Sequence, residues 1–174
     1  MPMEPRQDRP TVSPDGKPLQ RLIDGVIIRY ATTQADDRGT LCEILNPAWG
    51  FHPAPFTYVY QFTILPGKIK GWHQHHQHDD RIFLSQGRVR VVLYDPRPNS
   101  PTFGMVNEIV RTEQHRSIMT IPQFVWHAHQ NIGTTEALFI SMPSRAYDYA
   151  SPDVYRLPIE NDVIPYKFED KKGW

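Results

Sequence analysis

Short runs of β-branched and aromatic residues, separated by proline, glycine and charged stretches, recur along most of this chain. Residues 25–30 (GVIIRY), 57–64 (TYVYQFTI), 81–84 (RIFL) and 88–94 (RVRVVLY) carry side chains that suit a pleated, half-buried surface, and each predicts a strand. Within 88–94, Val89, Val91 and Leu93 fall on one face and Arg88 and Arg90 on the other, as a period of two requires. Residues 118–121, 124–129 and 137–142 continue the series, and Gly87, between two runs, predicts a hairpin turn. No long segment holds a 3.6-residue period, so the pattern predicts an all-β sandwich or barrel. Residues 1–18 are dominated by proline and charge and predict a flexible or partner-clasping arm, leaving 19–174 as one domain.

A chain of 174 residues suits a single core. Lys plus Arg equals Asp plus Glu at 19 each, so no broad basic field is available to hold nucleic acid by its phosphates. Cys42 is the one cysteine, which excludes an internal disulfide and suits a reducing, cytoplasmic compartment. The opening residues have no apolar stretch of the kind a signal peptide carries, and no apolar run nears the ~18 residues of a membrane span.

Four of the eight histidines fall between Gly71 and Asp80. On an extended strand His73 and His75 share a face, one pleat repeat apart, while His76 and His78 read as solvated. A second pair, His127 and His129, follows Pro122. The spacing is Gly67, five residues, His73-Gln74-His75, four residues, Asp80, six residues, Gly87; further on come Pro122, Phe124, His127 and Asn131. These two stretches resemble the two motifs of the cupin superfamily, with Asp80 where the motif has Glu and Phe124 where it has Gly. The resemblance implies a double-stranded β-helix, the cupin jelly-roll barrel, with His73, His75, Asp80 and His127 at one mouth. Three imidazoles and a carboxylate also make a donor set for one divalent transition metal.

A narrower resemblance covers residues 36–168. Asp36-Asp37-Arg38-Gly39-Thr40-Leu41-Cys42-Glu43, Lys70-Gly71-Trp72-His73, the run 87–104 (GRVRVVLYDPRPNSPTFG) and 149–168 are similar, in order, to segments of the dTDP-4-dehydrorhamnose 3,5-epimerase family. The resemblance implies a cofactor-free homodimer that binds a dTDP-4-keto-deoxysugar and moves protons beside the ketone. It implies His73 as the base, Arg38 and Lys70 at the diphosphate and Glu43 near the thymine, with Asp80 and His127 in the substrate pocket. Imidazole accepts protons near neutrality, and cationic or hydrogen-donating groups stabilise an enolate.

Three departures stand out. Asp80 replaces a family lysine, Phe139 in Glu136-Ala137-Leu138-Phe139 replaces the proton-donating tyrosine, and the ending leaves Asp170 as the stand-in partner for the base. Tyr147 and Tyr149 are the substitute acids or platforms. The His73-Gln74-His75 pair is also similar to the His-x-His of dTDP-sugar 3,4-ketoisomerases. Four readings stay open: epimerase, ketoisomerase, a metal-dependent cupin using His73, His75, Asp80 and His127, and a non-catalytic nucleotide-sugar binder.

Overall fold

The computed structural model describes residues 7–169, so Asp170 lies outside the described residues. Twelve strands are present among them, with only two short 3-10 turns. In chain order they are β1 (Ile27–Tyr30), β2 (Thr33–Asp36), β3 (Gly39–Cys42), β4 (Tyr60–Ile64), β5 (Ile69–Gln74), β6 (Asp80–Gln86), β7 (Arg88–Tyr94), β8 (Val106–Thr112), β9 (Ser117–Ile121), β10 (Trp126–Asn131), β11 (Ala137–Ser141) and β12 (Tyr155–Arg156). One sheet has the order β1-β9-β6-β11-β4 and the second β12-β5-β10-β7-β8, while β2 and β3 pair only with each other. Every pairing is antiparallel. Two facing antiparallel sheets exchanged by crossovers make the jelly roll that the motif spacing implied.

The inward residues of the two sheets form the core. Ile82 and Leu84 of β6, Val89, Val91 and Leu93 of β7, Met119 and Ile121 of β9, and Phe139 of β11 are all buried in it. Period-two alternation then sends the intervening residues outward, where they are buried again. Trp72, Val92 and Ala128 lie under Ile164, with Tyr166 and Phe168 packed alongside. Phe83, Ile118 and Met142 lie under the 42–51 segment, including Cys42 and Phe51. The central strands are therefore covered on both faces, and residues are buried at successive positions along Asp80–Leu84 of β6 and Val89–Leu93 of β7.

Gly87 does not close a hairpin. The strands on either side, β6 and β7, lie in different sheets, so the glycine turns the chain across the barrel corner. Its φ of 96° favours glycine, and a Cβ there would lie 2.9 Å from the Ala137 Cα. The 95–104 segment, part of the family-like run, is built around Asp95. Its buried carboxylate accepts hydrogen bonds from Arg97 Nε (2.7 Å), Ser100 Oγ (2.6 Å) and Thr102 Oγ1 (2.6 Å). These conspicuous residues fold a loop; they line neither histidine-bearing cavity described below.

Arg81 fixes the long 43–59 connection. Its guanidinium is 1% exposed and donates to the carbonyls of Met142 (2.6 Å), Ala54 (2.9 Å), Pro55 (3.0 Å) and Pro143 (2.9 Å). Replacing it with methionine keeps the stem and removes every donor. Arg81→Met should lower unfolding free energy by at least about 3 kcal/mol, from buried carbonyls left without partners. An unchanged urea midpoint would show that water replaces the clamp.

Candidate functional site

The interior polar residues gather at one end of the barrel. β5 brings Lys70 and His73, β6 begins with Asp80, and β10 brings His127 and His129. His73 and His127 are directly opposed in the β5–β10 register, with ring centroids 5.8 Å apart. His75 lies just beyond the end of β5, yet its ring centroid is 5.3 Å from that of His127. Phe124, at the motif's glycine position, adopts the glycine-like φ of 62° and donates its N–H to the His75 carbonyl (2.8 Å). The turn geometry survives without the glycine, at a cost of about 1–2 kcal/mol of backbone strain.

Lys70, Asp80 and the His73, His75, His127 and His129 rings line an inner cavity of about 190 Å³ together with Tyr60, Ser141 and Arg156. An outer cavity of about 340 Å³ adjoins it, lined by Tyr58, Arg145, Tyr147, Tyr149 and Asp153 among others. Tyr60, His75 and Val154 belong to both, so they form the shared wall. Tyr147 and Tyr149 therefore face the outer space; Tyr149 is 85% exposed. Arg38 and Glu43 lie on and just after the exposed β2–β3 hairpin, where Arg38 pairs with Asp36 at 2.6 Å, and neither lines the two cavities.

His76 and His78 are not simply solvated. The strand ends at Gln74, the chain turns back, and both rings become half-buried. The His76 ring stacks on Tyr155 at 3.7 Å, and His78 Nδ1 sits 2.9 Å from the Asp153 carboxylate. Asp80 is 5% exposed, with His75 Nε2 and His127 Nε2 each 3.3 Å from one carboxylate oxygen and His78 Nε2 3.7 Å from the other. The ligand atoms that converge on Asp80 thus come from His78 rather than His73. His73 Nε2 instead receives a hydrogen bond from Arg156 Nη1 at 2.5 Å.

Burial, reinforced by the Arg156 charge and by His75, pulls the His73 imidazole down to about 4. Burial also holds His127 well below its ordinary value. For His75 burial acts the same way, but the hydrogen bond and charge of Asp80 outweigh it and the net shift is upward. Tyr60 is raised to about 12, chiefly by burial and then by the Asp80 charge, so its phenol keeps its proton. Tyr60, Arg156 and Asp153 are the site residues that motif reading missed. They lie outside both histidine motifs, and only the β-prone run at 57–64 hinted at the first.

A double-sheeted jelly roll with a histidine-lined mouth is the architecture of a cupin. Residues 20–158 match the family described as dTDP-4-dehydrorhamnose 3,5-epimerase, and the chain belongs to that family of isomerase-class enzymes. It is 34% identical over 139 residues to the probable low-salt glycan biosynthesis epimerase Agl13 of Haloferax volcanii, covering 79% of this chain and 89% of that one. It is 30% identical over 151 residues to the spore coat polysaccharide biosynthesis protein SpsL of Bacillus subtilis, covering 84% and 97%. Among solved structures, a dTDP sugar isomerase from Desulfovibrio desulfuricans superposes with a TM-score of 0.76 at 24% identity, covering 83% and 91%, which establishes the shared fold.

His129 supplies a test of the interior. Its ring packs edge-on against Phe62 and Phe139, and burial pushes it down to about 3; Asp80 opposes that shift, while His73 and Arg111 add to it. The unfolded chain binds a proton at this residue near pH 6.5, whereas the folded chain does not until about pH 3. This contribution to stability is complete above pH 6.5 and is lost as pH falls toward 3, by about 1.4 kcal/mol per unit. His129→Leu should therefore flatten the stability decline between pH 7 and pH 5 by about 2 kcal/mol in urea melts. An unchanged slope would place a charged His129 in the folded protein.

Proposed function

We propose that this chain moves a proton at a carbon next to the C4 ketone of a dTDP-4-keto-deoxyhexose, as an epimerase with His73 as base. The observation that carries this reading is the different engagement of the histidines. His75 has Nδ1 on the Asp153 carbonyl at 2.5 Å and Nε2 on Asp80, and His127 has Nδ1 on the Val125 carbonyl at 3.3 Å and Nε2 on Asp80. His73 is neutral, and its Nε2 lone pair faces only the guanidinium of exposed Arg156. When Arg156 turns to a phosphate or to the enolate oxygen, the lone pair is free and the base regains strength. Both nitrogens of His75 being taken favours the epimerase reading over one in which two histidines relay a proton between carbons.

The ketone acidifies the neighbouring C–H, His73 Nε2 takes that proton, and the electron pair moves onto the C4 oxygen. Lys70 and Arg156 supply positive charge at the same cavity. A proton returned to the opposite face inverts the centre. Tyr60 is the donor in this reading: it lines the inner cavity and stays protonated, whereas Phe139 is fully buried and stacked on Phe62 at 4.8 Å. The proton transfer requires no redox cofactor. Tyr147 and Tyr149 serve as platforms in the outer cavity.

Arg38 and Glu43 bind the nucleotide in a homodimer, where the exposed hairpin of one chain reaches the outer cavity of the other. The lone cysteine and the absence of any long apolar helix among the described residues fit a cytoplasmic enzyme of glycan biosynthesis.

Three measurements test this. In deuterated water with dTDP-4-keto-6-deoxyglucose, His73→Asn should cut exchange at C3 or C5 at least about 100-fold while dTDP binding persists. Parent-like exchange would place the base elsewhere. Tyr60→Phe should retain exchange but lose inversion, a split that a base or a purely structural residue does not produce. Mixing His73→Asn with Arg38→Ala chains should restore turnover that each lacks alone; no complementation, or a monomer by light scattering, would reject the shared site.

A further inference from the structure

Given the nucleotide-sugar reading above, on which this rests, we infer that Arg145 in the outer cavity binds the nucleoside-side phosphate of the substrate's diphosphate. Neither the histidine motifs nor the family-like segments contain this residue.

The backbone that carries Arg145 is held without help from its guanidinium. Ser144, the preceding residue, donates its N–H to the Asp79 carbonyl (2.9 Å), and its hydroxyl accepts the Asp79 N–H (2.9 Å). Two residues before Asp79, the Gln77 N–H donates to the Asp153 carboxylate (2.8 Å). Gln77 turns its side-chain carbonyl to Arg145, which donates Nη1 to it. That amide is neutral, so the bond orients the guanidinium without cancelling its charge. Among the described residues no carboxylate forms an ion pair with Arg145.

The two carboxylates of the outer cavity are engaged by other neighbours. Asp153 accepts from the N–H groups of His76 and Gln77 and faces His78 Nδ1, while Asp148 accepts from the N–H groups of Ala150 and Ser151. Arg145 is exposed and is the cavity's arginine, with no lysine beside it in the lining. The connectivity of the substrate then places its phosphates. The inner cavity carries His73 and Tyr60 and so takes the keto-sugar, and the outer cavity, with Tyr58, Tyr147 and Tyr149, suits the flat base of the nucleoside. The diphosphate joining the two lies across the shared wall of Tyr60, His75 and Val154. Lys70 and Arg156 stand on the inner side of that wall and Arg145 on the outer side, and none of the three is ion-paired with a carboxylate among the described residues. Each phosphate thus meets its own positive charge, and Arg145 serves the one nearer the nucleoside. A guanidinium presents a planar fork of donors to two phosphate oxygens at once, and to do so Arg145 gives up only a bond to a neutral amide.

The test uses the full chain and calorimetric titration with dTDP and with dTMP. Arg145→Ala should weaken both at least about 10-fold, the usual worth of a hydrogen bond to a charged group, because both ligands carry the phosphate that Arg145 holds. Arg145→Lys keeps a point charge without the fork and should fall between parent and Arg145→Ala. With dTDP-4-keto-6-deoxyglucose in deuterated water, Arg145→Ala should raise KM by a similar factor while kcat falls much less, since a phosphate remote from the reacting carbon is held alike before and during proton transfer. Arg145 is exposed and its backbone is bonded independently, so its variants should keep the parent's urea midpoint. Lys17→Gln removes the same charge from a side chain that lines neither cavity, and should leave both titrations unchanged. Parent-like dTDP binding by Arg145→Ala would overturn the inference. So would an equal loss in Lys17→Gln, or a loss confined to dTDP, which would place the residue at the sugar-side phosphate. A parent that binds dTDP and exchanges deuterium, matched by Arg145→Ala in both, rejects Arg145 and leaves the proposed reaction standing; a parent that binds neither nucleotide rejects the reading on which both rest.

Discussion

A carboxylate inside a β-barrel sets the terms for everything around it. Asp80 and Arg81 are consecutive on β6, and strand alternation sends the first into the barrel and the second to the outer face. Neither is solvated, since both are at least 95% buried. An ionised side chain removed from water survives only when its polar atoms are matched. Arg81 meets that condition with backbone carbonyls and in doing so pins the 43–59 connection. Asp80 meets it only on one oxygen, with His75 and His127 at 3.3 Å, while the other has His78 at 3.7 Å and no hydrogen-bond partner; the imidazoles that answer its charge crowd one end of the barrel, where the cavity sits.

The barrel was legible because its signals are local. Strand alternation at 88–94 and the motif spacings from Gly67 to Gly87 and from Pro122 to Asn131 need only neighbouring residues to be read. Strand pairing is not local. A glycine between two β-prone runs looks the same whether it closes a hairpin or turns a corner, and only the facing Ala137 on β11 distinguishes them at Gly87. His76 and His78 were misread because the period of two stops with β5, and a loop follows no face rule. Asp153 and Arg156, which position His75, His78 and His73, lie more than 70 residues away in the chain, and nothing in the histidine segment points to them.

The departures from the family pattern have physical explanations of different kinds. Phe124 keeps the backbone turn of the glycine it stands for, so that change alters little at the mouth. Phe139 alters more: it completes an aromatic stack with Phe62 and edge contact with His129, turning a position associated with proton donation into core. Tyr60 stands on β4 two residues from Phe62, opposite Ser141, and offers a hydroxyl from the strand next to β11. Asp80 in place of lysine changes the sign of charge at the cavity floor. Its charge favours protonated imidazoles, and the burial that keeps His73, His127 and His129 neutral works against it.

The second sheet carries His73 and His127, and its outer face is covered by residues near 157–168. Without them Trp72, Val92 and Ala128 would present an apolar surface to water, and exposed apolar surface of that kind invites contact with other chains. The covering segment is thus a shield against aggregation, and it lies over the same sheet that carries His73 and His127.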